Sequence, residues 1–538
     1  MRFFTRSTEK GIHTWSLVLG VSCLPGLFSC ASASQPTIST TSGELQGVDQ
    51  DGVMSFKGVR FGHAPVGALR WAAPVPFVSS DRVNATQLGP SCLQQFADPL
   101  SAQIFNRPPP PEDEDCLFLN VWAPSNAQNG QLKPVVIWIY GGGLSFGTAS
   151  LPLYDGTSMV KNQDIVIVTF NYRTNVFGFP GSRDLPIDGN NLGYMDQELV
   201  FAWVQQNIAK FGGDPKQVTI MGQSAGGASV SNAIVRHPID PPFRAGIIFS
   251  GSQPDIMAAP SFAAFDQFAV GVGCNQTAGP ERLSCLRAVP AATIRNLTNG
   301  VGAGLKFDFI VDNSTLFANQ LARIRSKQTA RVPIFLGHTQ DDGTIFTIGQ
   351  TNLTQFLSFL TVVLGSSGDT SIVTPDFVRS LYPGLDDPQV IAAVLRDVAG
   401  GCPASLWAGA YVQSGISSVF RYVYGAVFPD LQIFPNAGAW HSTEVPELFG
   451  TFNASTATPD EVTLSSTFQT VVANFIKNPY ESPAPNWEQY VPGADAQTLA
   501  KLAYQGNVQL DNVVMPVQSS SVDGPCEMLW NKFLDSNQ

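Results

Sequence analysis

Residues 218–229 read VTIMGQSAGGAS, an apolar run followed by a G-x-S-x-G turn and a series of small residues. The run 218–221 is short and partly β-branched, which predicts a buried strand. The small apolar residues 225–235 predict a helix packed on a sheet. A strand, this turn and a helix in succession predict a nucleophile elbow, in which a strained backbone lifts the hydroxyl of Ser224 clear of the sheet. The alternative is an ordinary serine in a glycine-rich turn, and the flanking strand and helix favour the functional interpretation.

The rest of the chain predicts that this turn belongs to a large α/β fold. Apolar residues at helical spacing predict a helix at 192–211. Continuous apolar runs predict buried strands at 134–140, 165–170, 245–249, 332–336 and 419–427. Strands that alternate with helices predict a mostly parallel central sheet covered by helices on both faces, with the chemistry beyond the carboxyl ends of the strands. No repeat or linker-like break divides the sequence, so we expect a single domain over residues 34–538 with loop and helical excursions.

The composition is that of an acidic globular protein. The 538-residue chain has 44% hydrophobic residues, 13% charged residues and a formal net charge of −12. An excess of negative charge opposes binding to nucleic acids and to anionic membranes. We therefore expect neither nucleic-acid binding nor a stable membrane anchor, and the sequence leaves the oligomeric state open.

The N-terminus has the features of a secretory signal peptide at residues 1–33. Basic residues precede an apolar segment at 15–28, and residues 31–33, ASA, fit the small-residue rule for cleavage. An apolar segment of this length is too short to span a bilayer comfortably. We therefore predict a secreted, extracellular protein rather than one with a retained anchor.

The cysteines and glycosylation sequons agree with export. Two of the eight cysteines lie in the predicted signal peptide, and the even number that remains predicts three disulfides, whose pairing the spacing alone does not fix. No CxxC spacing indicates a zinc site, and we expect no metal or organic cofactor. Sequons of the type N-x-S/T predict candidate glycosylation sites at Asn84, Asn275, Asn296, Asn313, Asn352 and Asn453.

A serine nucleophile needs a base, and the chain has only five histidines. His441 lies in a loop after the last predicted strand, where the base falls when the order along the chain is serine, acid, histidine. His338 follows the predicted strand 332–336 beside Asp341 and Asp342, which is the place of the acid. We therefore predict His441 as the base and interpret His338 as an ordinary histidine. Because burying two adjacent charges is unfavourable, one of the two carboxylates is expected to face water or a partner.

A glycine triplet supplies candidate donors for an oxyanion. The predicted strand 134–140 runs into Gly141-Gly142-Gly143, where backbone N–H groups can converge without side chains in the way. Together with the N–H of Ala225, these groups would make a three-donor hole. A plain flexible turn is the alternative, and the position of the triplet at a strand end favours the functional interpretation.

Several segments of the chain resemble the type-B carboxylesterase family of α/β-hydrolases, which includes cholinesterases and fungal lipases. They are EDCLFLNVW at 114–122, WIYGGG at 138–143, GQSAGGAS at 222–229, Asp342-Gly343 and the loop around His441. The similarity runs from residue 37 to residue 534. It implies hydrolysis of carboxylic esters through an acyl-enzyme. The implied site consists of Ser224 as nucleophile, His441 as base, Asp342 as acid, and Gly142, Gly143 and Ala225 as the oxyanion hole.

The resemblance also implies the disulfide pairing and two structural ion pairs. The implied disulfides join Cys92 to Cys116, Cys274 to Cys285, and Cys402 to Cys526. The implied ion pairs are Arg70 with Glu114 and Arg173 with Asp196, which would be structural rather than catalytic.

The chain departs from the family pattern at the acid. Where that pattern usually reads Asp-Glu-Gly, this chain has Asp341-Asp342-Gly343. The register set by Gly343 selects Asp342, whose side chain is one methylene shorter than glutamate. Asp341 remains the alternative.

The loop between Cys92 and Cys116 bears on the substrate. In the cholinesterases this loop presents a tryptophan to a quaternary ammonium, but here it holds Phe96 and Phe105 and no tryptophan. We therefore expect uncharged or lipophilic esters, and we predict that Leu144, Phe146 and Phe105 contact the substrate. Two other functions stay open: a catalytically inactive adhesion or binding protein on the same fold, and a peptidase.

Overall fold

The computed structural model describes residues 35–127, 130–253, 261–364, 369–493 and 495–535. The predicted signal peptide, residues 1–33, lies outside the described residues. Within the described ranges, one large sheet carries helices on both faces.

The strands form two sheets. In the described residues they are β1 (Thr37–Thr40), β2 (Gly43–Gln46), β3 (Val48–Gln50), β4 (Val53–Arg60), β5 (Arg82–Asn84), β6 (Phe118–Pro124), β7 (Lys133–Ile139), β8 (Val166–Phe170), β9 (Gly213–Gln223), β10 (Ala245–Phe249), β11 (Ile334–Thr339), β12 (Val419–Tyr424), β13 (Leu499–Leu502) and β14 (Val514–Val517). The larger sheet has eleven strands in the order β14-β13-β12-β11-β10-β9-β7-β8-β6-β4-β3, and the smaller has the order β1-β2-β5. Strands β8, β7 and β9 to β13 are parallel to one another, whereas β3, β4, β6 and β14 join the two edges in antiparallel pairing. The predicted mostly parallel sheet is confirmed.

Helices connect and cover these strands. They are α1 (Pro99–Phe105), α2 (Thr157–Gln163), α3 (Asn175–Gly178), α4 (Leu192–Asn207), α5 (Ala225–Arg236), α6 (Ala263–Gly271), α7 (Pro280–Ala288), α8 (Ala291–Thr298), α9 (Gln320–Arg325), α10 (Leu353–Leu364), α11 (Pro375–Leu381), α12 (Asp387–Arg396), α13 (Cys402–Gln413), α14 (Glu444–Phe449), α15 (Pro459–Lys477), α16 (Ser520–Pro525) and α17 (Asn531–Leu534). Because parallel strands need crossover connections, most of these helices lie between consecutive strands of the large sheet.

Strand β7 shows why the central strands are continuously apolar. Val135 and Ile137 belong to one hydrophobic core, whereas Val136 and Trp138 belong to the core on the opposite face. Successive side chains of a strand point to opposite faces, so a strand covered on both sides must be apolar at every position. This explains why a run without alternation correctly predicts a strand here.

Some observed bounds differ from the predicted ones, in both directions. Strand β9 begins at Gly213 instead of residue 218, because Gly213 pairs with Lys133 at the start of β7. The predicted helix 192–211 is α-helical only to Asn207, and residues 208–211 form a 3-10 turn.

One helical segment of the described chain, residues 387–413, is long and apolar enough to cross a membrane by length and composition alone. In its most apolar window, 67% of the residues are buried inside the protein. It comprises α12, a π-helical turn at Asp397–Gly401 and α13, and Trp407 is fully buried within it. Core helices of soluble folds have the same composition, so this feature is weak evidence for a membrane span.

Three disulfides are present: Cys92–Cys116, Cys274–Cys285 and Cys402–Cys526. The guanidinium of Arg173 donates to both carboxylate oxygens of Asp196 at 2.9 and 2.8 Å, and both side chains are buried. Arg70 forms a similar buried pair with Glu114. Both ion pairs lie outside the cavity that contains Ser224, in agreement with a structural role.

Candidate active site

Ser224 lies at the sharp turn between β9 and α5. Its backbone has φ 57° and ψ −125°, a conformation that is unfavourable for a residue with a side chain. The turn is held by two backbone hydrogen bonds, from Ser224 N to the carbonyl of Phe249 at 2.9 Å and from Ala228 N to the carbonyl of Ser224 at 2.8 Å. Strain retained in a well-bonded turn is what a nucleophile elbow requires.

The glycines on either side of Ser224 are required by close approach. A Cβ on Gly222 would lie 2.4 Å from the backbone of Gly226, and a Cβ on Gly226 would lie 1.9 Å from the carbonyl oxygen of Ile139. Neither contact can be relieved by moving a flexible side chain, because the opposing atoms belong to the backbone. The G-x-S-x-G pattern therefore reflects the packing of the elbow against β7.

Asp342 and His441 are hydrogen-bonded although 99 residues separate them along the chain. His441 Nδ1 lies 2.6 Å from Asp342 Oδ1, and the hydroxyl of Thr339 donates to the same oxygen at 3.1 Å. A Cβ on Gly400 would lie 2.9 Å from Asp342 Oδ2, so the absence of a side chain at residue 400 leaves room for the carboxylate. Both Asp342 and His441 are buried.

The two groups shift each other's pKa. Burial disfavours the charged carboxylate, but the charge of His441 and its hydrogen bond outweigh burial, and the pKa of Asp342 is lowered. Burial likewise disfavours imidazolium, but the Asp342 charge and hydrogen bond raise the pKa of His441 above its ordinary value. The pair therefore stabilises a positive charge on His441.

Asp341 faces a different partner. Its Oδ2 accepts the backbone N–H of Ala439 at 2.8 Å, and its own N–H donates to the carbonyl of Ala439 at 3.0 Å. Asp341 therefore fixes the loop that carries His441, whereas Asp342 contacts the His441 ring itself. Of the two adjacent carboxylates, the structure brings Asp342 to the histidine.

The second ring nitrogen of His441, Nε2, is not hydrogen-bonded to any described residue. Within the described ranges, His441 Nε2 is buried without a hydrogen-bond partner, and the Phe346 ring packs against the imidazole edge-on at 4.9 Å between centroids. His441 and Ser224 line the same cavity, whose volume is about 390 Å³. One imidazole nitrogen is thus held by a carboxylate, and the other lies beside a cavity that contains the elbow serine.

The three other histidines in the described part of the chain lie elsewhere. His338 is buried behind the acid, with Nδ1 2.9 Å from the carbonyl oxygen of Thr339, and burial lowers its pKa. His237 contacts the Glu198 carboxylate at 2.9 Å, and the His63 ring packs on Phe77. None of the three lines the cavity that holds Ser224.

The glycine triplet passes close to the serine. A Cβ on Gly141 would lie 2.9 Å from the Cβ of Ser224, and Gly142 and Gly143 both have positive φ, 111° and 59°. A side chain at Gly142 would also meet the carbonyl of Phe146 at 2.2 Å. Gly143 and Ala225 line the cavity. Among the described residues, we find no acceptor for the N–H groups of Gly142, Gly143 and Ala225.

The residues predicted to contact substrate fall into two groups. Leu144 lines the cavity, but Phe146 and Phe105 lie outside its walls. The ring of Phe146 stacks on Phe96 at 4.9 Å and packs on Phe105 at 5.7 Å, while Phe105 also contacts Trp440. These rings pack on one another in an aromatic cluster, and neither Phe105 nor Phe146 lines the cavity that contains Ser224.

Glu444 was not anticipated from the sequence. Both of its carboxylate oxygens are buried without a hydrogen-bond partner in the described part of the chain. Burial raises its pKa to about 8, and the charge of Asp342 contributes in the same direction. Its position three residues after His441, in the first turn of α14, was the only signal available in the sequence. Below pH 8 this carboxyl is a neutral neighbour of the Asp342–His441 pair.

Comparison with known proteins identifies relatives along nearly the whole chain. The sequence model described as "Carboxylesterase family" matches residues 34–516. Chlorogenic acid esterase of Aspergillus niger is 32% identical over 465 residues, covering 83% of each chain. Secreted lipase 5 of Gibberella zeae is 28% identical over 502 residues, covering 86% of this chain and 88% of the relative.

A solved structure shows the same fold. The structure titled PNB esterase aligns with a TM-score of 0.74 and 26% sequence identity, over 93% of this chain and 100% of that chain. Together with the mostly parallel sheet and the family match, this similarity identifies the α/β-hydrolase fold. The chain therefore belongs to the carboxylesterase family and is a carboxylic ester hydrolase.

Proposed function

We propose that this protein is a secreted serine esterase in which Ser224 is the nucleophile, His441 the general base and Asp342 the acid that orients it. The observation that carries the proposal is the 2.6 Å contact between His441 Nδ1 and Asp342 Oδ1, with Nε2 unpartnered among the described residues and Ser224 in the same cavity. Catalytic hydrogen bonds are often long before substrate binds, so the serine–histidine bond is expected to tighten in the substrate complex.

Acylation follows from these positions. Ser224 Oγ attacks the ester carbonyl carbon while its proton passes to His441 Nε2, and the resulting imidazolium is stabilised by the Asp342 carboxylate. The negative carbonyl oxygen is placed against the N–H groups of Gly142, Gly143 and Ala225. When the tetrahedral intermediate collapses, the bond to the alcohol oxygen breaks, and His441 returns the proton to that oxygen.

Deacylation repeats the same proton transfers with water. His441 Nε2 takes a proton from water, whose oxygen attacks the acyl carbon, and then returns a proton to Ser224 Oγ as the acid leaves. Asp342 keeps its charge throughout, in agreement with its lowered pKa.

The walls of the cavity support uncharged or lipophilic esters as substrates. Leu144, Phe309, Phe346 and Leu395 supply apolar surface close to Ser224. The name of one relative, a secreted lipase, agrees with lipophilic esters, and the name of the other, a chlorogenic acid esterase, agrees with an ester substrate in general.

The proposal includes export as a single domain over residues 34–538 without a stable membrane anchor. Three disulfides and a relative described as a secreted lipase support an extracellular location. All six sequon asparagines are exposed, as glycan attachment requires: Asn84, Asn275, Asn296, Asn313, Asn352 and Asn453.

The test compares wild type with Ser224→Ala and with Ser466→Ala, which removes an exposed hydroxyl from α15. With 4-nitrophenyl butyrate we expect Ser224→Ala to lose at least about 10⁴-fold in kcat, and Ser466→Ala to be unchanged. Turnover that survives in Ser224→Ala would reject the proposed nucleophile. Cleavage of the 4-nitroanilide of the same acid at a rate similar to that of the ester would indicate a peptidase. Wild-type protein that binds esters without cleaving them would indicate a catalytically inactive binding protein on the same fold.

A further inference from the structure

Asn175 is hydrogen-bonded to the loop that follows the glycine triplet. Its side chain is buried, and its Nδ2 donates to the carbonyl oxygen of Leu93 at 2.7 Å and to that of Ser145 at 3.0 Å. The backbone N–H of Asn175 donates to the carbonyl oxygen of Leu144 at 2.6 Å. A single residue therefore holds two consecutive backbone carbonyls directly after Gly143.

The segment that carries Asn175 is itself fixed to the protein interior. Asn175 has φ 45°, in the left-handed region, which asparagine tolerates better than most residues. Its Oδ1 accepts the N–H of Phe177 at 3.4 Å, and its carbonyl oxygen accepts the N–H of Phe179 at 2.8 Å. Two residues earlier, the N–H and the guanidinium of Arg173 donate to the buried carboxylate of Asp196. Asn175 is therefore anchored to α4.

The two carbonyls held by Asn175 belong to peptide groups that also bind Gly142. The N–H of Ser145, in the same peptide group as the Leu144 carbonyl, donates to the Gly142 carbonyl oxygen at 3.0 Å. The N–H of Phe146, in the same peptide group as the Ser145 carbonyl, donates to that oxygen at 3.1 Å. Leu144 has φ 58°, which is unfavourable for a branched side chain, so hydrogen bonds are needed to keep the turn in this conformation.

The Gly142 carbonyl sets the direction of the Gly143 N–H. A trans peptide group is planar, so its C=O and its N–H point in opposite directions. Because the Gly142 carbonyl is directed to the two N–H groups of the turn, the Gly143 N–H points away from the turn. Glycine on both sides gives this peptide group little steric resistance to rotation, so its direction depends on the hydrogen bonds. Gly143 lines the cavity that contains Ser224.

We propose that Asn175 is a positioning residue for the oxyanion hole, a role that rests on the proposed function. By holding the carbonyls of Leu144 and Ser145, it keeps the N–H of Gly143 directed at the oxygen that becomes negative. Donors that are already oriented stabilise the transition state more than the ground state, because they need not turn as the charge develops. Loss of the Asn175 side chain should therefore lower kcat and leave substrate binding nearly unchanged.

The test replaces Asn175 with glycine, which keeps the positive φ and the backbone N–H but removes the side chain that holds Leu93 and Ser145. With 4-nitrophenyl butyrate we expect kcat to fall about ten- to hundredfold and KM to change less than about threefold, because one donor of three is loosened. Asn175→Ser has a hydroxyl that can donate to one of the two carbonyls, so its kcat should lie between those of Asn175→Gly and wild type. Each kcat refers to active sites counted by the 4-nitrophenol released on complete phosphonylation.

Inhibition by two ketones separates an effect on the oxyanion from general damage to the site. Trifluoromethyl propyl ketone forms a bond from its carbonyl carbon to Ser224 Oγ, the serine proton passes to His441 Nε2, and the carbonyl oxygen becomes negative. Methyl propyl ketone has the same chain and stays trigonal. For Asn175→Gly we expect the inhibition constant of the trifluoromethyl ketone to rise by the factor by which kcat/KM falls, and that of the methyl ketone to change less than about threefold. Neither constant depends on the fraction of folded protein.

Asn207→Gly is the matched control. Asn207 is also buried, its Nδ2 donates to the carbonyl oxygen of Trp203 at 3.0 Å, and it lies outside the cavity. We expect its kcat and both inhibition constants to stay within about twofold of wild type. An unchanged kcat in Asn175→Gly, a rise in KM alone, or an equal loss of affinity for both ketones would refute this role of Asn175. Each of these results would leave the proposed serine esterase intact, since failure of that proposal is shown by turnover in Ser224→Ala.

Discussion

Replacing Asp342 with asparagine should nearly abolish turnover, whereas the same replacement at Asp341 should have little effect. In Asp342→Asn the amide can occupy the place of the carboxylate, 2.6 Å from His441 Nδ1, but it carries no charge. Two unit charges about 4 Å apart interact by about 4 kcal/mol at an effective dielectric constant of about 20, which corresponds to about 10³ in rate. The amide can also donate to Nδ1 and thereby place the proton on Nε2, where it blocks the base, so the expected loss in kcat is about 10³–10⁴-fold.

Asp341→Asn provides a matched control on the adjacent residue. The contact that Asp341 makes is with the Ala439 N–H at 2.8 Å, and an asparagine carbonyl can accept the same hydrogen bond. We expect a loss of less than about tenfold, because the hydrogen bond to Ala439 is kept and only its acceptor changes, from a carboxylate to an amide oxygen. Both variants would be assayed with 4-nitrophenyl butyrate at one pH, and thermal unfolding would establish that each is folded. A larger loss in Asp341→Asn than in Asp342→Asn would refute the assignment of the acid.

Three further predictions concern the surroundings of the site. Glu444→Gln should have the same kcat/KM as wild type at pH values below about 7. Above the Glu444 pKa of about 8, the wild-type carboxylate ionises and stabilises imidazolium, so the kcat/KM of the variant should be several-fold lower than that of wild type. Profiles of kcat/KM that coincide up to about pH 10 would contradict this prediction. Gly400→Ala should reduce kcat by about 10–100-fold, because its Cβ would lie 2.9 Å from Asp342 Oδ2, and unchanged kcat would show that the carboxylate has room to move. Arg173→Ala leaves the buried Asp196 without its cation and should lower the free energy of unfolding by about 3–5 kcal/mol, as measured by urea titration. A loss of less than about 1 kcal/mol would count against a structural role for the pair.

The parts of the fold that the sequence predicts well are those set by local patterns. The elbow is recognisable because its strand, glycines and helix are contiguous in sequence. The glycines on either side of Ser224 are required because a Cβ at either position would meet backbone atoms. The central strands are recognisable because burial on both faces makes them continuously apolar. The pairing of Asp342 with His441 spans 99 residues and follows from chain order and from the family resemblance instead of from local pattern.

The cavity walls could not be predicted in the same way. Phe105 and Phe146 have the composition of pocket residues, but their rings pack on each other and on neighbouring aromatics. Asp308 and Tyr194 lie far apart in sequence but line the same cavity, and Ile310, close to Asp308, is hydrogen-bonded to Asn191 at the start of α4. The direction of a loop side chain depends on such tertiary contacts, and no periodicity in the sequence encodes it.

The identity of the nucleophile can be tested by covalent trapping. A 4-nitrophenyl alkylphosphonate mimics the ester and leaves a stable adduct on an activated serine, so intact-mass and peptide-mapping mass spectrometry can locate the modified residue. We predict one adduct per chain, on the peptide that contains Ser224, with release of one equivalent of 4-nitrophenol and loss of esterase activity in step with labelling, and no adduct in His441→Ala. An adduct on another residue that accompanies loss of activity, or full activity after Ser224 is modified, would contradict the account.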